Sequence, residues 1–481
     1  MTTKIRKTKI VTTIGPASGS KEVFTRMVKA GVNVVRLNFS HGDHNTHSAS
    51  VHLVRGVSKN LNIPIAIMQD LGGPKIRTGE QYKEEIVLRK GSKIILTTKK
   101  CIGDETKLCI NYKKLPKEVK KGNFILLDDG KKKLEVISKG KDFITCKVIV
   151  GGMIKAKRGV NLPDVSLSIS SLTQKDKEDV VFGIKENVDF IALSFVRKAS
   201  DVRELKSVIE KLGGTKKEIG IIAKIETKDA LNNLDEILEE VDGIMVARGD
   251  LAVETPPEDV PVVQKEIIKK CNMVGKPVIV ATQMLESMIF SPVATRAEVS
   301  DVANSIFDGA DAIMLSAESA IGEYPVETVT LMSKIAVRTE AGIHHKEALK
   351  RGKATIQKST TTNVVDAISR HVVSTAYDVD SEAIIALTET GSTARMISRY
   401  RPKQPIVVMS PNEKTLRKVV LSFGCYPVKI KPFRYIGEAV ERIKRETLKH
   451  KFANKGSNIV IAAGVPFRKT GGTNMLFVRE V

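Results

Sequence analysis

The stretch IIAKIE, residues 221–226, ends an apolar run with two charged residues. Side chains two positions apart in a strand point to the same side, so Lys224 and Glu226 should project together at the carboxyl end of a strand. Buried charges are costly unless they are paired or bind an ion. The pattern therefore indicates either a structural salt bridge or an ion-binding group.

Seven further apolar runs of strand length carry polar or charged residues at or near their ends. The eight runs are KIVTTIGP (9–16), NVVRLNFS (33–40), PIAIMQD (64–70), DFIALSF (189–195), GIIAKIE (220–226), GIMVARGD (243–250), PVIVATQ (277–283) and AIMLSAE (312–318). Segments with helical spacing follow most of them. Near-continuous apolar strands that alternate with helices predict a parallel sheet covered on both faces, and eight such units predict a (β/α)8 TIM barrel. Active sites of such barrels lie at the carboxyl ends of the strands.

The polar residues at these strand ends predict a phosphate- and metal-binding site. Glu226 and Asp250 close neighbouring strands, and two carboxylates suit Mg²⁺, or Mn²⁺, with water and substrate oxygens completing the shell. Lys224 would be a fixed positive charge beside that metal. Arg36 and Arg77 carry planar guanidinium groups suited to phosphate. Together they favour phosphoryl transfer, in which positioning and charge neutralisation supply most of the catalysis.

The spacing of the runs also predicts three domains. More than a hundred residues follow the third strand and contain short β-like runs, which indicates a small all-β barrel inserted as a lid over the mouth. The basic segment 345–363 is predicted to be a linker to an open α/β domain. The expected boundaries are 1–74 and 169–345 for the barrel, 75–168 for the insert and 346–481 for the C-terminal domain.

Composition restricts the possible partners and location. The 481 residues carry a net charge of +23, with the basic excess concentrated between residues 81 and 160. Such charge could attract nucleic acid, an anionic membrane or phosphorylated small molecules. Aromatic residues make up only 4% and no nucleic-acid-binding motif is present, so we expect neither nucleic acid nor a membrane as partner. Five cysteines without a CxxC pair predict reduced thiols and a cytoplasmic location.

Two short motifs permit other interpretations. His41, His44 and His47 are spaced three apart and mimic a metal cluster, but no cysteine accompanies them, and a solvated helix start explains them better. The tripeptide RGD at 248–250 resembles an adhesion motif, but a position at a buried strand end argues against that interpretation.

Several longer motifs give the chain a recognisable pattern. They are TKIVTTIGPAS, VVRLNFSHG, DLGGPKIR, KRGVNLP, IIAKIE, GIMVARGDLAVE, ATQMLESM, TRAEVSDVANSIFDGADAIMLSAES and TGSTARMISRYRP. Together they resemble the pyruvate kinase family from the first ten residues to the C-terminus, the insert included. The resemblance implies the same three-domain fold. It also implies Mg²⁺-assisted transfer of phosphate from phosphoenolpyruvate to ADP, followed by protonation of the enolate to pyruvate.

The resemblance also implies roles for individual residues. Arg36 would hold the substrate phosphate and Lys224 would neutralise the transition state. The amides around Gly249 and Asp250, with the Thr282 hydroxyl, would hold the substrate carboxylate. Thr282 and Ser316 are candidates for relaying the proton. The nucleotide contacts would be Asn38, Phe39, Ser40, His41, Arg77 and Arg158, with Arg158 reaching down from the lid.

One departure from the family pattern concerns a monovalent cation. Many members bind K⁺ at positions matching Asn38, Ser40, Asp70 and Leu71 and read DTKGPEIR where this chain reads DLGGPKIR. Lys75 stands in place of the glutamate, and its ammonium group could supply the charge of K⁺ and repel the ion. We therefore expect activity without added K⁺, unless Lys75 simply points to solvent.

The resemblance further implies a homotetramer and a possible sugar-phosphate effector. The loop TETGSTA places hydroxyls and a glycine before a helix start, a setting that can bind phosphate, although a helix cap would look the same. The residues of this loop are Thr388, Thr390, Gly391, Ser392 and Thr393, and the later loop 464–474 adds Arg468 and Lys469.

Two other functional classes remain open from the residues alone. A Mg²⁺-dependent lyase or aldolase that handles a pyruvate enolate would also use acidic ligands at strand ends, but it would not need Arg36, Arg77 or a basic lid. A nucleic-acid-binding protein is supported only by the net charge.

Overall fold

Eight parallel strands form a closed barrel in the computed structural model, which describes residues 5–163, 165–214, 218–343, 364–433, 435–465 and 472–481. Strands are numbered along the whole chain. The barrel strands are β1 (Lys9–Thr13), β2 (Val34–Asn38), β3 (Ala66–Asp70), β12 (Phe190–Leu193), β13 (Gly220–Ile225), β14 (Gly243–Ala247), β15 (Val278–Ala281) and β16 (Ala312–Leu315). They neighbour one another in that order, and β16 closes on β1. The predicted TIM barrel is confirmed.

The barrel strands are buried on both faces, which explains their near-continuous apolar sequences. Side chains such as Val11, Met68, Ile222 and Met314 fill the barrel interior, and a second apolar layer packs between strands and helices. The helices of this region are Lys21–Ala30, His44–Leu61, Gln174–Lys185, Ala199–Lys211, Lys228–Asn232, Leu234–Glu240, Arg248–Glu254, Val260–Val274, Arg296–Asp308, Ala317–Ala320 and Pro325–Ala341, with a 3₁₀ turn at Glu286–Ile289.

The segment between β3 and β12 begins with an all-β insert. Its strands are β4 (Glu85–Leu88), β5 (Lys93–Thr97), β6 (Lys107–Cys109), β7 (Phe124–Leu127), β8 (Lys132–Lys139), β9 (Phe143–Val150), β10 (Gly152–Lys155) and β11 (Val160–Asn161), with one helical turn at Leu115–Glu118. They form a six-stranded sheet, β11-β7-β8-β9-β5-β6, and a two-stranded sheet, β10-β4. One apolar core of its own fills this insert, which we call the lid.

A second sheet forms the C-terminal part of the chain. Its strands are β17 (Ala383–Leu387), β18 (Ile406–Ser410), β19 (Cys425–Lys429), β20 (Asn458–Ala463) and β21 (Met475–Glu480), and its helices are Val364–Asp378, Ser392–Ser398, Glu413–Val419 and Ile436–Lys449. The order is β19-β18-β17-β20-β21, with only β21 antiparallel to its neighbour. The open α/β arrangement expected from the sequence is confirmed.

Some expectations fall outside the described residues or concern the whole chain. The predicted linker 345–363 and the basic residues Arg468 and Lys469 lie outside the described ranges. Where the helices are described, none has the length and apolar character needed to cross a bilayer. The five cysteines are all free thiols.

Candidate active site

Lys224 lies at the centre of a charged cluster at the carboxyl end of the barrel. Its Nζ atom is 2.9 Å from Glu226 Oε1 and 3.4 Å from Asp70 Oδ1, and it donates a hydrogen bond to Ser194 Oγ at 2.8 Å. Both carboxylates are fully buried, and only 12% of the lysine side chain is exposed. Lys224 lies in β13 and Glu226 follows its last residue, Ile225, and the i, i+2 spacing does bring the two side chains together.

Arg36 joins the same cluster from β2. Its Nε atom donates to Asp70 Oδ2 at 2.6 Å, and Nη1 donates to Thr13 Oγ1 at 3.1 Å. Asp70 thus receives one cation on each oxygen. The ion pair between Arg36 and Asp70 exists, and it fixes the guanidinium group at the barrel rim beside Lys224.

Burial and charge oppose each other in this cluster. Burial acts to lower the pKa of Lys224, but attraction by Asp70 and Glu226 outweighs it and holds that pKa above its usual value. Burial acts to raise the pKa of Asp70, yet Lys224 and Arg36 keep it below its usual value. Lys224 and Asp70 are therefore both charged at neutral pH.

Glu226 is the carboxylate whose charge is least compensated. Burial raises its pKa to about 7, and the nearby Asp250 carboxylate adds to that effect. Its Oε2 atom accepts a hydrogen bond from the Phe195 backbone N–H at 2.6 Å. Its Oε1 atom is buried and pairs with Lys224 Nζ at 2.9 Å. Two carboxylates near each other, Glu226 and Asp250, supply the oxygen ligands that a hard divalent cation prefers.

The sequence run 243–250 predicted that Asp250 closes a strand, and this prediction is wrong. Strand β14 ends at Ala247, and Arg248–Glu254 forms a short helix whose first turn contains Gly249 and Asp250. The chain can turn here because the Gly249 N–H is bound by the Thr282 hydroxyl, at 2.9 Å, instead of by a strand partner. Asp250 still faces the cavity above the barrel.

Thr282 is held in a strained conformation beside Gly249. Its φ is +71° and that of Gln283 is +54°, both in the left-handed region that β-branched and bulky residues rarely adopt. Arg248 donates to the Thr282 carbonyl at 2.7 Å and pairs with Asp301 at 2.7 Å. Arg248, the arginine of the RGD sequence, thus fixes the backbone at Thr282, directly after β15. We call this contact the Arg248 clamp.

Ser316 lies at the end of β16, next to β1. Its backbone N–H donates to Glu318 Oε2 at 2.7 Å, and Glu318 Oε1 accepts from the Leu285 N–H at 3.2 Å. Burial raises the pKa of Glu318. Glu318 therefore connects the loops that follow β15 and β16, the two strands whose ends carry Thr282 and Ser316.

Lys75 reaches the predicted monovalent-cation position. Its Nζ atom donates to Ser40 Oγ at 3.1 Å. Desolvation and then repulsion by Lys224 lower its pKa, whereas Asp250 and Glu226 act to raise it. Asn38 Oδ1 accepts from the Ser40 N–H at 3.2 Å, and the Leu71 carbonyl is bound by Ser194 Oγ at 2.7 Å.

A cavity of about 520 Å³ separates the barrel rim from the lid. Among the residues that line it are the basic side chains of Lys75, Arg77, Lys157 and Arg158, together with Asp250. Arg158 lies 3.6 Å from Asp128 within the lid. Acidic residues line the cavity too, so its walls carry charges of both signs; they are Asp128, Asp129, Asp229, Asp250 and Glu254.

Two helices, Gln174–Lys185 and His44–Leu61, support the segment from Asn38 to His41. Lys175 donates to the Phe39 carbonyl at 3.0 Å and pairs with Asp179 at 2.6 Å. His44 Nε2 also lies 2.7 Å from Asp179, and His47 stacks on the Phe39 ring at 4.0 Å. The histidines are thus used in packing, and the described residues contain no cluster of three or more potential His, Cys, Asp or Glu ligands.

The predicted effector loop lies in the C-terminal domain. Thr388 Oγ1 accepts from the Gly391 N–H at 3.0 Å, and Thr390 Oγ1 donates to Ser392 Oγ at 3.2 Å. Gly391 has φ +83°, and Thr393 is buried and bonded to Thr473. Several of these hydroxyls therefore stabilise the loop itself.

Three supporting residues were missed by sequence reasoning. Ser194 binds both Lys224 and the Leu71 carbonyl, Lys175 binds the Phe39 carbonyl, and Glu254 binds Asn161 of the lid. Ser194 ends a recognised apolar run and could have been found by that signal. Lys175 and Glu254 lie on helices, and no sequence pattern marked either of them as part of a site.

A phosphorylated substrate suits this rim, because carboxylates fix Arg36 and Lys224 there and Arg77 and Arg158 line the cavity above it. The class of protein is therefore a phosphotransferase built on a (β/α)8 barrel. Two family models match the chain, "Pyruvate kinase, barrel domain" over residues 5–329 and "Pyruvate kinase, alpha/beta domain" over residues 366–479.

Individual relatives agree with these matches. The pyruvate kinase of Clostridium acetobutylicum is 46% identical over 99% of this chain and 100% of its own length. That of Geobacillus stearothermophilus is 45% identical over 99% of this chain and 80% of its own. A crystal structure of a pyruvate kinase from Cryptosporidium parvum superposes with a TM-score of 0.93, at 36% identity and with coverage of 99% and 96%. The chain belongs to the pyruvate kinase family.

Proposed function

We propose that the chain transfers the phosphoryl group of phosphoenolpyruvate to ADP and protonates the resulting enolate to pyruvate. The observation that carries this proposal is the position of Lys224, held between Asp70 Oδ1 at 3.4 Å and Glu226 Oε1 at 2.9 Å. A fixed ammonium at that point can stabilise the charge of a phosphoryl group during transfer, because a preorganised charge costs no reorganisation when the reaction occurs.

The substrate would be bound between the barrel strand ends. Arg36 is oriented by Asp70, which binds Nε, and by Thr13, which binds Nη1. Its third nitrogen, Nη2, would bind the substrate phosphate. The Gly249 and Asp250 amides, at the start of a helix, would bind the carboxylate together with the Thr282 hydroxyl. Thr282 and Ser316 would supply the hydroxyls through which a proton reaches the enolate carbon.

Glu226 and Asp250 would hold the divalent metal, Mg²⁺ or Mn²⁺. When bound, such an ion polarises phosphoryl oxygens and neutralises their charge. The residues fit because Glu226 and Asp250 are close enough for each carboxylate to act on the other, and two carboxylates leave positions for substrate oxygens and water.

The nucleotide would enter the cavity between barrel and lid. Arg77 and Arg158 line that cavity. The segment Asn38–Phe39–Ser40–His41 would add further nucleotide contacts; Lys75, which also lines the cavity, donates to Ser40, and Lys175 donates to the Phe39 carbonyl. Arg158 would exchange its contact with Asp128 for a phosphate. A basic lid raises the local concentration of anionic substrates.

K⁺ would not be required. Lys75 Nζ lies 3.1 Å from Ser40 Oγ, one of the groups expected to bind the ion, so an ammonium group occupies the neighbourhood of the cation. Asn38, Ser40, Asp70 and Leu71 would then position this lysine instead of an ion.

A sugar-phosphate effector at Thr388–Thr393, a homotetramer and a cytoplasmic location remain predictions of the resemblance. Effector binding would be seen as a lower half-saturating concentration of phosphoenolpyruvate when a sugar phosphate is added.

One coupled assay tests the proposed reaction. Pyruvate formation should require phosphoenolpyruvate, ADP and Mg²⁺ together and should proceed in buffer without K⁺. Pyruvate formed from another substrate without ADP would instead indicate a lyase or aldolase. Salt-dependent retention on DNA with no effect of ADP would indicate a nucleic-acid-binding protein.

A further inference from the structure

The lid touches the barrel through the helix that begins at the proposed metal site. Asn161 belongs to β11, the strand by which the chain leaves the lid, and its Nδ2 atom donates to Glu254 Oε1 at 3.1 Å. The backbone N–H of Leu162 is directed at the same carboxylate. Leu162 is buried in the apolar core of the lid, so Glu254 is bonded to the body of the lid and not to a loose loop.

Glu254 is the last residue of the seven-residue helix Arg248–Glu254, and Gly249 and Asp250 are near its first. The whole helix is only roughly 10 Å long. A second contact supports the same junction, since a Cβ atom added to Gly130 of the lid would lie 3.7 Å from Val253. The lid therefore contacts the helix Arg248–Glu254, which also carries Gly249, proposed to bind the substrate carboxylate, and Asp250, proposed to bind the metal.

The carboxylate of Glu254 is largely withdrawn from water, and desolvation raises its pKa while the bond from Asn161 lowers it. Such a group is costly to bury unless donors satisfy it, and here donors come from the lid. When the lid moves away, those bonds are lost. The contact therefore favours one position of the lid relative to Asp250.

We propose that Glu254 is a positioning residue that sets the lid against the metal-holding helix through Asn161. The inference rests on the proposed roles of Gly249 and Asp250. In the position that this contact favours, Arg158 of the lid and Asp250 of the barrel line the same cavity, where a nucleoside diphosphate and a divalent cation would meet.

A separate anchor holds the root of the lid and should survive changes at Glu254. Arg197 of the barrel donates to the Leu167 carbonyl at 2.7 Å and also to the Ile169 carbonyl. Loss of the Glu254 contact should therefore change the position of the lid without detaching it from the barrel.

The test is a double-mutant cycle with Glu254→Ala and Asn161→Ala in the full-length protein. Each variant should raise KM for ADP about tenfold, the size expected for one hydrogen bond to a charged group, and should change KM for phosphoenolpyruvate much less. The double variant should be no worse than the worse single one, because both changes remove the same contact. Glu254→Gln keeps an acceptor oxygen and should stay within about twofold of the unmodified enzyme.

Asn123→Ala is the matched control, since Asn123 also lies on the lid but its side chain accepts from the Lys120 N–H within the lid. It should leave both KM values unchanged. The proposal is overturned if Asn161→Ala leaves KM for ADP unchanged, or if the two effects add. If the unmodified protein forms no pyruvate from phosphoenolpyruvate, ADP and Mg²⁺, the proposed function fails first and this inference fails with it.

Discussion

Lys224 keeps its charge in a buried place because two carboxylates hold it there. Asp70 also pairs with Arg36, so two cations face two carboxylates in this cluster. An anion that arrives at this rim meets the fixed cations Arg36 and Lys224, and a divalent cation would meet the carboxylate of Glu226.

Replacement of Lys224 by methionine should abolish most of the turnover. The substitution keeps the length of the side chain but removes the charge, and loss of one preorganised electrostatic group costs about a hundredfold or more in kcat. The measurement is kcat in the coupled pyruvate assay. Lys211→Met removes an exposed lysine and should have no effect. Near-normal kcat in Lys224→Met would show that this ammonium does not act on the reacting phosphate.

Replacement of Lys75 by glutamate should create dependence on K⁺. The carboxylate would remove the ammonium from Ser40 and restore a cation-binding charge at that position. Activity in K⁺-free buffer should fall about tenfold or more, since about 1.4 kcal/mol of lost charge interaction is sufficient for that change, and added K⁺ should restore it. Lys113→Glu makes the same charge change on an exposed lid residue. If K⁺ stimulates the unmodified enzyme as strongly as Lys75→Glu, the interpretation is wrong.

The sequence correctly predicted that Lys224 and Glu226 lie together, because the periodicity of a strand determines the side to which each side chain points. Lys224 and Glu226 are two positions apart, so one strand brings them together whatever the rest of the fold does. Ser194 and Lys175 act through contacts between elements that are distant in the chain. No local pattern specifies such contacts, because they depend on how the strands and helices are packed.

At the scale of elements, the chain that follows β14 is bound to the chain that follows the neighbouring strand β15. Arg248 starts the helix that contains Asp250 and donates to the carbonyl of Thr282, which follows β15. Its second partner, Asp301, lies on the helix Arg296–Asp308. One side chain therefore joins three elements. The sequence run 243–250 could not show that the strand ends at Ala247, because this clamp comes from outside the run.

Arg248→Lys should lower both activity and stability. A lysine cannot bind Asp301 and the Thr282 carbonyl in the same fork geometry, so the left-handed conformations of Thr282 and Gln283 lose their support. Strain of this kind amounts to about 1–3 kcal/mol per residue. We expect kcat to fall about tenfold or more and the unfolding temperature to drop by several degrees.

Two further variants make this prediction specific. Asp301→Asn keeps the hydrogen bond but not the charge and should have a smaller effect of the same sign. Arg26→Lys changes an exposed arginine paired with Glu327 at 3.6 Å and should leave both quantities unchanged. Equal effects of Arg248→Lys and Arg26→Lys would contradict the clamp.

At the scale of the whole molecule, the C-terminal domain closes the end of the barrel opposite the active site. Val420 and Leu421 belong to the same apolar cluster as the side chains inside the barrel. Aspartates that precede two strands on opposite sides of the barrel, β12 and β16, add polar contacts: Asp189 pairs with Arg417 at 2.6 Å and Asp311 with Arg401 at 3.0 Å. The Oδ2 atoms of these aspartates also accept hydrogen bonds from the N–H groups of Ile67 and Val278 in the barrel.

This docking shows the limit of prediction from sequence at the largest scale. Eight apolar runs were enough to predict the barrel, because each buried strand has a local signal. Val420 and Leu421 lie outside the eight runs. Asp189 begins the run 189–195 and Asp311 precedes the run 312–318, but nothing in the sequence marks either as a contact of another domain. Their roles depend on the arrangement of two domains, which local periodicity does not encode.

Lys9 makes the stability of this junction depend on pH. It lies at the start of β1, donates to the Cys425 carbonyl of the C-terminal domain at 2.6 Å and lies 4.3 Å from the centre of the Tyr426 ring. Burial lowers its pKa from 10.5 to about 8. Between pH 8 and 10.5 the unfolded chain therefore binds more protons at Lys9 than the folded protein, so this residue makes folding more favourable as pH rises.

Lys9→Met should remove that dependence. The free energy of unfolding of the unmodified protein, measured relative to Lys9→Met, should rise through this pH window by about 3 kcal/mol, because a pKa change of one unit corresponds to about 1.4 kcal/mol. The measurement is denaturant unfolding at pH 7.5, 9 and 10, with the exposed Lys29→Met as control. The control difference should stay flat. A flat difference for Lys9→Met as well would mean that Lys9 keeps its ordinary pKa, and that the barrel and the C-terminal domain meet at this point without a desolvated charge.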